Sequence, residues 1–261
     1  MQPPLVNIPI IAETPDLLVV DKPAGLLVHP TKPGGPATLR DFLCELLAYE
    51  LANGGQVSII NRLDRETSGL TLIAKSAAAA RECGISMARH NISKQYTAMV
   101  IGWPESNRFS VNAPLLRAGE ISPSAIYLKR GVHPSGADAL THFVVSQRYT
   151  HPGIGKIAVV HATPITGRTH QIRVHLSYVG FPVIGDKIYG PDEQWYLRFI
   201  EGGWSPAMEK SLVLSRHALH SSELKITFRG EQFAWAAPLP SDMASLLASA
   251  TVPSESTRGQ Q

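Results

Sequence analysis

The sequence predicts an α+β protein built on a mixed or antiparallel sheet. Two observations predict it. Short apolar, β-branched runs recur along the chain, separated by turns rich in Gly and Pro. Helical patterns interrupt these runs irregularly, without the regular strand–helix alternation that builds a parallel sheet. The 261 residues allow one large domain or two small ones, and 44% hydrophobic with 17% charged residues suits a chain with a real core.

The elements follow in order. Residues 8–11 and 17–20 read as strands, the second ending in the turn Pro23-Ala24-Gly25. Pro33, Gly34, Gly35 and Pro36 mark a loop. Thr38 then has the character of a helix N-cap, with Asp41 three residues on, ahead of Leu39, Phe42, Leu43, Leu46 and Leu47 at helical spacing. Residues 57–60 and 70–75 read as strands, and the segment between them as a loop. An Ala-rich helix is expected over 77–90 and a strand over 94–102. Two more strands, 140–150 and 156–163, are joined through 151–155, and a helix begins near Thr169. After Pro240 the composition turns to Ser, Ala, Thr and Gln. The expected organisation is an extension at 1–7, a catalytic domain at 8–240 and a tail at 241–261, with 254–261 disordered.

A net charge of +3 does not by itself announce a nucleic-acid binder. The local clusters say more: Arg62 with Arg65, Lys129-Arg130, and Arg168 with Arg173. Lys129-Arg130 reads as ordinary solvated surface. Cys44 and Cys83 lie far apart with no CxxC spacing, so neither a disulfide framework nor a zinc site is expected, and buried free thiols are the default. No apolar stretch approaches the ~18 residues needed to span a bilayer. The N-terminus lacks a basic start followed by a long apolar run. A cytoplasmic protein without membrane contact is the expectation, with a monomer as the default.

The chemistry concentrates in Asn61-Arg62-Leu63-Asp64-Arg65-Glu66-Thr67-Ser68-Gly69-Leu70. Asp64 stands between two arginines and before a Thr-Ser-Gly turn. Neighbouring opposite charge favours the ionised carboxylate, which can serve as nucleophile or base. The arginines can hold phosphates. A glycoside hydrolase would need a second acid opposite Asp64, and the turn at Glu66 breaks the geometry of that pair. His170 and His175, five apart, point about 140° away from each other on a helix. His217 and His220 could share a helix face but lack neighbouring carboxylates, so no metal site is expected. Arg168 and Arg173 are also five apart and so serve different purposes.

Taken in order, these segments resemble the RluA-type pseudouridine synthases over roughly residues 10–240. The matching segments are Asp21-Lys22-Pro23-Ala24-Gly25, the Asp64 loop, Lys94-Gln95-Tyr96-Thr97-Ala98, Thr166 to Leu176 followed by Gly185-Asp186-Lys187, and Arg216-His217-Ala218-Leu219-His220. The family usually reads His-Arg-Leu-Asp where this chain has Asn61-Arg62-Leu63-Asp64. Many relatives begin with a small S4-type RNA-binding domain, for which this chain leaves no room.

The resemblance implies a mixed, mainly antiparallel central sheet with flanking helices and a central active-site cleft. It implies isomerisation of uridine in ribosomal or transfer RNA without a cofactor. Asp64, Tyr96 and Arg173 would form the catalytic set. Asp64 would attack sugar or base, or assist bond cleavage. Tyr96 would stack on the uracil, with its hydroxyl as an alternative base, and Arg173 would pair with Asp64. Arg62 would fill the space left by the extruded base or hold a neighbouring phosphate, and Arg65 and Arg168 would contact RNA. The competing reading is a catalytically silent RNA-binding module of the same fold.

Overall fold

A computed structural model describes residues 8–253. The elements are, in chain order, β1 (Ile10–Glu13), β2 (Leu17–Lys22), α1 (Leu39–Leu46), α2 (Ala48–Ala52), β3 (Ser58–Ile59), β4 (Ser68–Ala74) and α3 (Ala77–Ala88). Then come β5 (Ile92–Ile101), β6 (Arg108–Asn112), β7 (Leu115–Arg117), α4 (Ala118–Ile121), β8 (Arg130–Val132), β9 (Leu140–His151) and β10 (Gly155–Pro164). The chain ends with α5 (Gln171–Tyr178), α6 (Gln194–Gly202), α7 (Pro206–Leu212), β11 (Leu219–Phe228), β12 (Glu231–Ala236) and α8 (Ser241–Ala248). Strand pairings are mixed but mostly antiparallel, and helices flank them, as the sequence pattern predicts.

The residues sort into two compact units. Among the described residues the first comprises 8–96 and 220–238, the second 97–219 and 239–253. In the first, β1, β2, β4 and β11 lie side by side, β3 pairs with β4, and β12 with β11. All of these pairings are antiparallel except β4 with β11. The first half of β5 lies beside β11. Strand β4 is buried along its whole length. One of its faces joins Leu17, Val19, Ala79, Cys83, Leu224 and Ile226 in a core. Ile73 belongs to a second cluster with Leu18, Val20, Leu39 and Leu43. This two-sided burial explains why 68–74 is a nearly unbroken apolar run rather than an alternating one. Helix α1 starts where expected: the Thr38 hydroxyl accepts from the Asp41 N–H, and the Asp41 carboxylate accepts from the Thr38 N–H at 2.9 Å. Cys83 is buried and its thiol is pushed up to about 11, first by burial and then by Glu82 and Asp16. Cys44 is only half-buried.

In the second unit, β10, β9 and β6 form antiparallel pairs, and β7 pairs with β8 in a separate two-stranded sheet. Helix α6 packs Tyr196 and Leu197 onto the cluster of Leu115, Ile126, Val174 and Tyr189. Helix α8 lies within the segment expected as a tail. Its Asp242 receives Nε and Nη2 of Arg216 at 2.6 and 2.8 Å. Residues 254–261 lie outside the described residues.

The parallel contact of β4 with β11 leaves no space at Gly69. This glycine has φ of +113°, and a Cβ there would stand 2.3 Å from the Ser221 carbonyl oxygen. Gly69→Ala therefore combines backbone strain with a backbone clash and should destabilise by about 2 kcal/mol or more. Urea denaturation of the variant against the parent protein measures this.

Candidate active site

The loop between β3 and β4 is held in place by backbone bonds. The Thr67 N–H donates to the Asp64 carbonyl at 3.2 Å, closing a turn with Asp64 at its first position, where aspartate is favoured. Asn61 is buried. Its Nδ2 donates to the Leu70 carbonyl at 3.0 Å and its Oδ1 accepts from the Leu72 N–H at 2.8 Å. A carboxamide offers donor and acceptor side by side, matching the alternating groups of an extended strand. The residue at which this chain departs from the family's usual histidine thus ties the loop to β4.

The far side of the loop is strapped to the turn after β2. The Arg65 carbonyl accepts from the Gly25 N–H at 2.8 Å and from Lys22 Nζ at 3.2 Å, and Arg65 Nε donates to the Gly25 carbonyl at 3.1 Å. Gly25 sits at φ +85°, which suits glycine. Asp64 is half-buried between exposed Arg62 and Arg65. Arg62 is not the only cation at this end of the first unit. His29 is held below its ordinary pKa by partial burial and then by the charges of Arg62 and Arg40. Tyr96, on β5, is buried at 8% exposure. Its phenol is pushed well above its ordinary pKa, first by burial and then by the negative charge of Asp64. Asp64 and Tyr96 therefore share one electrostatic neighbourhood within the first unit. The neutral phenol dominates at any physiological pH, which weighs for stacking over action as a free phenolate.

In the second unit, Arg173 projects from α5 and is buried at 4% exposure. Its Nε and Nη2 donate to the two oxygens of Asp186 at 2.6 and 2.9 Å, and its guanidinium lies 5.0 Å from the centroid of Tyr189. Burial alone would raise the Asp186 pKa. The charge and hydrogen bonds of Arg173 and the Tyr189 N–H outweigh it and hold the carboxyl below the usual range. Asp186 also accepts from the N–H groups of Ile188 and Tyr189 at 2.9 and 3.0 Å. His217 is driven well below its usual pKa, first by burial and then by Arg173, so it is neutral.

Arg168 is exposed, and its Nε donates to the Asp138 carbonyl at 2.9 Å. Arg168 is thus exposed where Arg173 is buried. Arg168 shares an open concavity with Arg117, Tyr127 and Arg130. Tyr127 is 73% exposed, and the Arg117 guanidinium lies 4.9 Å from its ring centroid. Arg117 also meets Glu120 at 3.0 Å, and Lys129 pairs with Glu193 rather than standing as a lone solvated cation.

The sequence matches a known family. The family model described as RNA pseudouridylate synthase matches residues 16–178. The chain belongs to the RNA pseudouridylate synthase family. It is 34% identical over 245 residues to the ribosomal large subunit pseudouridine synthase D of Nitrosomonas europaea, covering 91% of this chain and 64% of that protein. It thus spans less than two thirds of that relative's length. The protein of the same name from Pseudomonas aeruginosa is 32% identical over 249 residues, covering 93% and 71%. Among solved structures, human RNA Pseudouridylate Synthase Domain Containing 1 superposes with a TM-score of 0.71 at 25% identity, covering 97% of this chain and 92% of that one.

The span matched to the RNA pseudouridylate synthase family contains Asp64, Tyr96 and Arg173 but ends before Asp186. Sequence reasoning missed Asp186 as the partner of Arg173, Arg40 and His29 beside Arg62, and the strap from Lys22. Asp186 carried one signal, its place in Gly185-Asp186-Lys187. Among the described residues no helix is long and apolar enough to cross a membrane, and no cluster of three or more His, Cys, Asp and Glu could hold a metal ion.

Asp186→Asn removes a buried counter-charge of Arg173 and should cost about 3–5 kcal/mol at pH 7. Because the folded pKa is depressed, the pair's contribution is present above the unfolded value of about 3.9 and fades as pH falls towards the folded one. The gap between parent and variant in denaturant titrations should therefore narrow below about pH 4. Tyr96 has the opposite sign: its raised pKa adds stability below the unfolded value of about 10 that is lost as pH rises beyond it. Alkaline absorbance titration should show one phenol ionising after the others, and Tyr96→Phe should remove it.

Proposed function

We propose that this chain isomerises uridine to pseudouridine in RNA, with residues 8–240 as the catalytic region. The observation that carries the reading is the Asp64 loop. A half-buried carboxylate is fixed at the start of a turn, among exposed arginines, and its charge is felt by a buried tyrosine. Membership of the family supports it. In the reaction the N1–C1′ bond breaks, the uracil turns while bound, and C5 bonds to C1′. The C5 hydrogen leaves as a proton and N1 gains one, so no oxidant or reductant is needed.

We assign Asp64 as the catalytic carboxylate, acting on sugar or base. Tyr96 supplies an aromatic face for a uracil that has left its stack. Arg173 completes the set, its guanidinium held in one orientation by Asp186. Arg62, with Arg40 nearby in charge, binds phosphate or fills the vacated stack. Arg65 and Arg168 contact RNA, and the exposed Tyr127 among Arg117, Arg130 and Arg168 offers a stacking surface within a cationic concavity. The names of the bacterial relatives favour ribosomal RNA of the large subunit over transfer RNA, and action in the cytoplasm.

RNA carrying tritium at uridine C5 tests the reading, because forming the C5–C1′ bond releases that tritium. The parent protein should release it and yield pseudouridine in the digested RNA. Asp64→Asn should lower turnover by about 10²–10⁴-fold or more while RNA affinity stays within about threefold. Binding without release by the parent protein would establish the silent RNA-binding module instead, and free base would establish a glycosidase.

A further inference from the structure

We propose that the concavity between α3 and the turn joining β11 to β12 is a second binding site for the phosphate backbone of the substrate RNA, remote from Asp64; this rests on RNA being the substrate. Arg81, Ile85, Arg89, Thr227, Arg229 and Gly230 line it, all in the first unit. Helix α3 buries Ala79, Cys83 and Ser86. Arg81, Ile85 and Arg89, spaced four apart, form a stripe along its exposed side. Ile85 is the one large apolar side chain among the described lining residues, which is too little for the apolar centre of a protein interface.

The turn occupies the acids nearby. Phe228 pairs with Glu231, so Arg229 and Gly230 form a two-residue hairpin turn, with φ of +50° and +82°. Such a turn ordinarily selects Asn-Gly or Asp-Gly. Here an arginine is held in it by its charge. Nη1 and Nη2 of Arg229 meet the two oxygens of Asp16, Nη2 at 3.0 Å. Its Nε lies 3.5 Å from one oxygen of Glu82, and its N–H donates to the other at 3.0 Å. Asp16 and Glu82 are thereby engaged by Arg229. The guanidinium groups of Arg81 and Arg89 meet no carboxylate among the described residues. They lie about 12 Å apart along the helix at ~1.5 Å per residue, and each offers the planar fork that suits a phosphate. Position sets the length of RNA required. His220 of β11 pairs with Ser68 at the exit of the Asp64 loop, and β11 runs on to Phe228, about 25 Å further at ~3.3 Å per residue. An RNA reaching both places needs about seven nucleotides of stacked strand at ~3.4 Å per step.

The test uses the full chain and compares Arg81→Ala/Arg89→Ala with the parent protein. Alanine suits an exposed helix position, so the variant keeps its fold. Two RNAs serve as probes: a uridine-containing stem-loop of large-subunit ribosomal RNA with a stem of about four base pairs, and the same loop on a stem of about sixteen. On the long RNA the variant should lose about two units of the parent's salt slope and about tenfold in affinity at low salt. The loss should appear in affinity and not in the single-turnover rate at saturating RNA. On the short RNA, affinity should stay within about twofold of the parent's. Arg81→Lys/Arg89→Lys should recover most of the affinity. Lys210→Ala, which removes an exposed charge on α7, should show no loss that depends on RNA length. A variant that matches the parent on the long RNA overturns the proposal, and this is also the result if the concavity takes an acidic protein instead. An equal loss on both RNAs overturns it too, because a general charge effect would then suffice. A parent protein that makes no pseudouridine overturns the functional reading, and the comparison of RNA lengths then still decides this site by binding alone.

Discussion

The Arg65 carbonyl oxygen is the constraint on which the candidate site depends. A loop between two strands would ordinarily wander, since few backbone groups in it have partners. Here the loop is tied at its entry by Asn61, within its turn by Thr67, and at its far side by Gly25 and Lys22 on that carbonyl. Each of these ties uses backbone groups of the loop or its flanking strand. Chemistry on an RNA base needs such placement, because the base must be extruded and met by a group already in position.

Two carboxylates show how environment separates roles. Asp186 is fully buried and bound on both oxygens by Arg173, with two further N–H donors. Its charge is consumed in holding an arginine and a turn, which suits structure. Asp64 is half-buried, with exposed arginines on either side. By removal of a partner, the first arrangement is the costlier to disturb. Stability is therefore sensitive at Asp186.

Local features were legible in the sequence because local physics made them. The Thr38–Asp41 capping box needs only three residues of spacing, and the strand after Asp64 announces itself by burial on both faces. The carboxylate between two arginines at Asp64 stood out for the same reason, whereas Tyr96 was singled out only by the resemblance to a family. Long-range closure was not. Nothing in the composition of residues 171–178 says that Arg173 meets Asp186, and Lys129 meets Glu193 across 64 positions. Burial also hides from the pattern: a lysine at the end of an apolar strand reads as a solvated terminus, yet Lys22 is enclosed by carbonyls.

Asn61 brings these threads together. A histidine in its place would be read from sequence as a functional group, with a charge to offer RNA. The carboxamide here offers none, and both ends of it are spent on the β4 backbone. A position that invites a catalytic or RNA-contact reading instead fixes the register at which the loop leaves the strand. The cationic character of this end of the first unit comes from Arg62, Arg40 and Arg65, so losing the imidazole leaves the electrostatic case intact. What the position contributes is placement, the same commodity that Thr67, Gly25 and Lys22 supply. Asp64 then sits in a loop tied by Asn61, Thr67, Gly25 and Lys22, and the sequence around it reads as a clamp around one carboxylate.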